Sequence, residues 1–213
     1  MSLRPLPERI GALQPAAAVA AVRRHGKRVV TFAGFGELGY QDEQRVLEIC
    51  RVELERFESG TTLVNTGTLI TLGFRPGITL VYQVACELGF DTVGIHPSVA
   101  LAGGSHSLSA SVNHVYFVED DSWGGLLSNG RPSPTLEALL RATDELVAIG
   151  GGEHTAQEIR TFVEHEKVVR FHPAEMHHAT SAAWFARRGV SNYDVRGAAQ
   201  GVWQAMLRGR DGA

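Results

Sequence analysis

Nine residues, Gly150-Gly151-Gly152-Glu153-His154-Thr155-Ala156-Gln157-Glu158, carry the densest ligand-binding chemistry in the chain. They join a β-branched run to a stretch of helical period. Glycine frees the backbone to turn successive N–H groups toward one anion, and a helix starting there adds the positive end of its dipole. Thr155 can hold phosphate or cap the helix, while Glu158, one turn on, can bind ribose hydroxyls or serve as general acid or base if its pKa is raised. Thr-x-x-Glu is also the pattern of a capping box. A cap alone does not need three consecutive glycines.

Gly34-Phe35-Gly36-Glu37-Leu38-Gly39 is a G-x-G-x-x-G directly after a predicted strand, where a dinucleotide fingerprint is expected. The fingerprint also wants an acid at the end of the next strand to hold a ribose hydroxyl. This chain has Asn65-Thr66-Gly67 there. Gly34 and Gly36 are therefore read as a ligand-facing turn offering N–H groups to phosphate or ribose rather than as the mark of a nicotinamide dehydrogenase; the alternative is turn geometry alone. Thr66, Gly67 and Thr68, running on to Arg75-Pro76-Gly77, place hydroxyls, a glycine and a guanidinium before a helix. That set suits a phosphate, or else is a helix-entry loop with a surface arginine.

Three further groups have weaker chemistry. His96-Pro97-Ser98 ends a strand where a base or ribose could lie, with a structural hydrogen bond as the alternative. Glu119-Asp120-Asp121 with Trp123, Gly124 and Gly125 combines acids and an aromatic face able to take ribose hydroxyls, a cation or a base, or forms a solvated turn. His172, Glu175, His177 and His178 suggest zinc, but Pro173 interrupts the run and the adjacent histidines would diverge on a helix. No metal site is assigned. There is no Gly-x-Ser-x-Gly elbow and no P-loop.

The elements that must position these residues alternate. Short apolar runs at 28–33, 61–65, 91–95, 113–118, 144–149 and 167–171 read as strands, separated by helical stretches at 41–57, 77–88, 134–143 and 155–166. Further helices are expected around 181–188 and 194–207. This is the pattern of an α/β, Rossmann-like, doubly wound domain whose mostly parallel sheet has helices on both faces. Residues 1–15 read as an extended N-terminal arm and 16–213 as one domain. The Gly/Ser-rich stretch 100–111 reads as a mobile loop, a candidate lid.

Composition narrows the classes. The chain has 213 residues with 20 Lys+Arg against 23 Asp+Glu, a net charge of -3, and 44% hydrophobic content, so disordered and fibrous classes are excluded. The charge balance lacks the basic footprint of duplex binding, so nucleic acid is not the expected partner. The N-terminal apolar run from Ala16 to Val22 is too short to span a bilayer. Cys50 and Cys86 lack metal or redox spacing and read as small buried apolar groups, consistent with a cytoplasmic location.

Gly150 to Glu158 resembles the Pro-Gly-Gly-x-Gly-Thr-x-x-Glu signature of the LONELY GUY phosphoribohydrolases, a family often misnamed lysine decarboxylases, within the SLOG nucleotide-binding superfamily. Gly151, Gly152, Thr155 and Glu158 match it; Gly150 stands for its Pro and His154 for its later Gly. Asp144 to Ile149 and Lys167 to Arg170 resemble the flanking strands, and Asn65 to Gly73 the family's earlier phosphate loop. Where the hydrolases carry an Arg-Lys pair this chain has Thr135, and Arg141 is the one base on that helix. The resemblance implies a nucleotide-like ligand, with Gly151, Gly152 and Thr155 on phosphate and Glu158 on ribose or as the catalytic acid/base. It implies a homodimer, and it leaves Mg²⁺ open. The missing pair favours a binding or sensing protein; the alternative is a hydrolase that cleaves the N-glycosidic bond of nucleoside monophosphates.

Overall fold

A computed structural model describes residues 3–5, 11–65, 69–71, 75–103 and 106–211. The sequence elements that set its architecture are the strands β3 (Arg28–Gly34), β4 (Thr61–Asn65), β6 (Asp91–Pro97), β8 (His114–Val118), β9 (Glu145–Ile149) and β10 (Val168–His172). With the edge strand β2 (Ala12–Leu13) they form a seven-stranded sheet in the order β10-β9-β3-β4-β6-β8-β2. Every neighbouring pair in it is parallel.

Strand residues alternate between two cores, as a pleated strand buried on both faces must. Val29, Ala33, Val64, Leu146 and Ala148 face one cluster, which includes residues of α1 (Pro15–Arg23), α4 (Pro134–Ala142), α5 (Glu153–Glu164) and α7 (Gly197–Asp211). Val30, Phe32, Leu63, Val147 and Ile149 face the other, built with α2 (Glu43–Leu54) and α3 (Leu80–Glu87). Helices therefore cover both faces, giving the doubly wound Rossmann-like domain expected from the alternation of elements.

A second, three-stranded antiparallel sheet has the order β1-β7-β5, from Leu3–Pro5, His106–Ser109 and Leu69–Thr71. It changes the reading of two segments. Part of the Gly/Ser-rich stretch expected to be a loose loop is a 3₁₀ turn at Ser98–Gly103 followed by strand β7. The N-terminal arm supplies β1 against β7 and β2 against β8. Local composition cannot show such pairings, because the hydrogen bonds are made to partners about a hundred residues away. Cys50 is buried as expected, but Cys86 is exposed on α3. Among the described residues, no helix is long and apolar enough to cross a membrane.

Candidate functional site

The winding direction reverses between β3 and β9. From β3 the chain proceeds outward through β4, β6 and β8, then returns to place β9 on the other side of β3. In open parallel sheets this reversal leaves a crevice beyond the carboxyl ends of the two strands, where ligands bind. Gly34, the last residue of β3, lies in register with Ile149, the last of β9. The two glycine-rich turns noted in the sequence therefore leave the sheet side by side.

Tyr40 ties them together. Its hydroxyl donates to the Ile149 carbonyl oxygen at 2.8 Å and accepts from the Phe35 N–H at 3.2 Å. Burial pushes the Tyr40 phenol well above its ordinary range, which keeps it a donor. A Cβ on Gly34 would meet that hydroxyl at 2.1 Å, so the glycine exists to let the tyrosine through. Thr155 makes a second tie, donating its hydroxyl to the Gly34 carbonyl oxygen at 3.1 Å. The third tie is the backbone of α7, whose Ala199 N–H donates to the Gly151 carbonyl oxygen at 3.2 Å. Gly151 itself has φ 126°, a conformation side chains rarely adopt.

Helix α5, like α1 and α3, starts without a side-chain cap. Asp42 caps α2 and Ser133 caps α4 through side-chain oxygens, whereas Gly152 precedes α5 with no side-chain cap. Thr155 is the third residue of the helix, with its hydroxyl turned to β3. The capping-box alternative for Thr155 and Glu158 thus does not describe this helix entry.

Beside these turns is a cavity of about 630 Å³, lined by Phe35, Gly36, Leu38, Gly152, Glu153, Met176, Trp184, Phe185, Tyr193, Asp194, Gly197, Ala198 and Gly201. Gly36 and Gly152 face it without crowding, since a Cβ at either would have nothing within 4 Å. Its far wall comes from α6 (His178–Ala186) and the loop into α7, where Phe185 stacks on Tyr193 at 4.0 Å and Trp184 packs edge-on to Phe185 at 4.8 Å. Arg188 lies over the Trp184 ring at 3.5 Å. The Asp194 carboxyl is held below its ordinary range by the Arg196 side chain and N–H, so it is an acceptor at neutral pH.

The structure sorts the residues singled out in the sequence. Gly36 and Gly152 line the cavity; Gly34, Gly151 and Thr155 hold its floor together. Glu158 is buried to 7% exposure on α5 and is not on the lining. Arg75 packs over Gly39 and is ion-paired with Glu43 of α2, outside the cavity. Thr66, Gly67 and Thr68 lie outside the described residues. Asp120, from the acidic stretch after β8, binds the Ser122 N–H at 2.8 Å and the Thr135 N–H at 3.0 Å, and so joins that turn to the start of α4. Burial raises its pKa, but those hydrogen bonds outweigh it and hold the carboxyl below the usual range. The histidines at and beyond the end of β10 disperse: His172 meets Glu53 at 2.9 Å, His178 meets Glu175 at 2.8 Å, and His177 bonds Thr180.

Sequence reasoning missed Trp184, Phe185, Tyr193 and Asp194. The available signal was the aromatic spacing Trp184-Phe185 and Tyr193 ahead of Gly197 and Gly201, two small residues on one helix face.

No protein-family model matches the chain, and no curated protein matches it. Similar solved structures include the molybdenum cofactor binding protein from the phototrophic bacterium Rippkaea orientalis, at 15% identity and a TM-score of 0.49, covering 85% of this chain and 96% of that one. Two structures of the molybdenum cofactor carrier protein of Chlamydomonas reinhardtii are similar at 18% and 19% identity, with TM-scores of 0.44 and 0.45, each covering 84% of this chain and 98% of the other. Likenesses of this size leave the ligand to be derived from the chain's own residues.

Proposed function

We propose that this chain binds, without turning it over, a nucleotide or nucleotide-derived small molecule at the C-terminal edge of its parallel sheet. One observation carries the reading: the reversal of winding between β3 and β9 coincides with a cavity of about 630 Å³ into which Gly36 and Gly152 face with open space. That volume is in the range of small-molecule sites. Trp184, Phe185 and Tyr193 give the wall an aromatic surface against which a flat ring can pack. Glu153 and Asp194 offer acceptors for its N–H or amino groups, and the Gly152 turn with the α5 N-terminus suits an anionic group. Among the described residues, the lining holds no arginine or lysine, and Glu158 is set back from it. This favours binding over N-glycosidic cleavage, which needs an acid at the glycosidic bond and positive charge on the phosphate. SLOG-type nucleotide recognition and a homodimer belong to the same proposal.

The test is a panel of nucleoside monophosphates, with and without Mg²⁺, together with the molybdenum cofactor for which the similar structures are named. Thermal shift and free-base release are followed together. Ligand at about 100 times Kd adds about 2.7 kcal/mol, which for a chain of this size is a shift of roughly 5–10 °C. Stabilisation with no base released is expected. Base release lost in Glu158→Gln would make the protein a phosphoribohydrolase, and no stabilisation by any ligand would remove the reading.

A further inference from the structure

At the opposite, N-terminal edge of the sheet, three side chains from separate parts of the chain converge. His25 lies in the turn between α1 and β3, Asp91 opens β6, and His114 opens the adjacent parallel strand β8. The His25 Nδ1 is 2.8 Å from one carboxylate oxygen of Asp91, and the His114 Nε2 is 3.4 Å from the other. The two imidazoles stack on each other at 4.0 Å. One potential ligand atom from each residue lies within 4.8 Å of the others.

We propose that His25, Asp91 and His114 form a binding site for a divalent transition-metal ion of the zinc class, with a fourth position open to water. Two nitrogens and one carboxylate oxygen are a donor set that zinc accepts, and imidazole excludes the hard cations as preferred occupants. Tetrahedral coordination at about 2.0–2.1 Å sets ligand atoms roughly 3.3 Å apart, so the donors are already near the required spacing, and binding requires the two stacked imidazoles to turn until their in-plane lone pairs converge on the ion. The carboxylate already has one good partner in His25. The 3.4 Å approach of His114 is long for a hydrogen bond, and its nitrogen lies within 4.8 Å of the other two donor atoms. His114 is 42% exposed and Asp91 32%, which leaves an entry path and room for water.

The surroundings add a positioning residue. Tyr116 follows His114 on the same face of β8, and its hydroxyl is 2.7 Å from the His25 Nε2. With metal on Nδ1, the His25 ring carries its proton on Nε2 and donates it to the Tyr116 oxygen, the kind of outer partner that fixes a ligand's tautomer and orientation. A bound ion ties the turn after α1 to β6 and β8. This site is on the far side of the sheet from the cavity, and the inference does not depend on what that cavity holds.

The full chain, stripped with a chelator, is titrated with Zn²⁺ by calorimetry and with Co²⁺ by visible absorption. One ion per chain and a tetrahedral Co²⁺ spectrum are expected, with affinity falling at least tenfold in His114→Ala and in Asp91→Asn. Tyr116→Phe keeps the stoichiometry but weakens binding about tenfold. Zn²⁺ also raises the melting temperature of the unsubstituted chain and not that of His114→Ala. His114 is partly exposed at a strand start, so this variant retains the fold, with circular dichroism as the check. No bound ion, or binding unchanged in both His114→Ala and Asp91→Asn, would overturn the assignment.

Discussion

Gly34 and Gly36 stand two residues apart in one glycine-rich turn, and the structure gives them opposite roles that substitution by alanine separates. A Cβ at Gly34 would sit 2.1 Å from the Tyr40 hydroxyl and 2.7 Å from the Ile149 carbonyl oxygen. Tyr40 is fully buried, so it cannot swing into solvent. Moving its hydroxyl strands the Ile149 carbonyl and the Phe35 N–H, each worth roughly 1–3 kcal/mol when left unsatisfied, and overpacking adds roughly 1–3 kcal/mol. These overlapping effects give about 3–5 kcal/mol in total, a fall of roughly 6–20 °C in Tm for a chain of this length. Gly36→Ala meets open space and should change stability by less than about 1 kcal/mol. Urea midpoints and calorimetry measure both. If the hydroxyl causes the penalty, Gly34→Ala costs much less in a Tyr40→Phe background, a coupling of at least about 1 kcal/mol. Equal losses at the two glycines, or no coupling to Tyr40, would refute the assignment of roles.

Other parts of the fold give equally direct tests. Thr155→Val removes the hydroxyl bonded to the Gly34 carbonyl oxygen and should lower stability by about 1 kcal/mol, read from the urea midpoint. Glu145 is buried and accepts from Arg28, Arg56 and Arg170, each at 3.0 Å; Glu145→Ala should cost about 2 kcal/mol, since the half-exposed guanidiniums of Arg28 and Arg170 regain water, and an unchanged midpoint would contradict this. Burial raises the Asp144 carboxyl, but the Arg23 hydrogen bonds and the Val29 N–H outweigh it and hold its pKa below 3.8. Its stabilising contribution is therefore present above pH 3.8 and is lost as pH falls through the lower folded value, so Asp144→Asn should flatten the acid limb of the stability profile. Burial pushes the Cys50 thiol up to about 12, so a thiol reagent should titrate exposed Cys86 in the native protein and Cys50 only after unfolding.

Much of the architecture was legible because it is local. The short apolar runs of β3 and β9 and the helical period of α2 and α5 follow from residue order, and so do the glycine turns at the switch point. What was not legible depends on partners distant in sequence. Gly34 reads as a phosphate-facing glycine until Tyr40 is seen bonding the end of β9. Arg75 reads as a free cation until Glu43, 32 residues earlier, is seen to pair with it. The aromatic wall of the cavity is carried by α6 and the loop into α7, and only the packing of that segment against Phe35 and Met176 turns Trp184 and Tyr193 into lining. The segment 100–111 has turn-like composition, yet β7 gains its order from backbone pairing with β1 and β5. His25, Asp91 and His114 are spread over 90 residues of sequence and share no motif spacing, so their meeting at one sheet edge is a property of the fold alone.

The central claim is that the cavity beside Gly36 and Gly152 is the ligand site, and Trp184 on its wall reports on it directly. Trp123→Phe combined with Trp203→Phe leaves Trp184 as the sole tryptophan, whose fluorescence is followed while a stabilising nucleotide is titrated. A saturable change that matches the calorimetric Kd is expected, lost in Gly152→Val, which fills the cavity while the fold is retained. Calorimetric binding with a silent Trp184 and undiminished affinity in Gly152→Val would place the ligand elsewhere and contradict it.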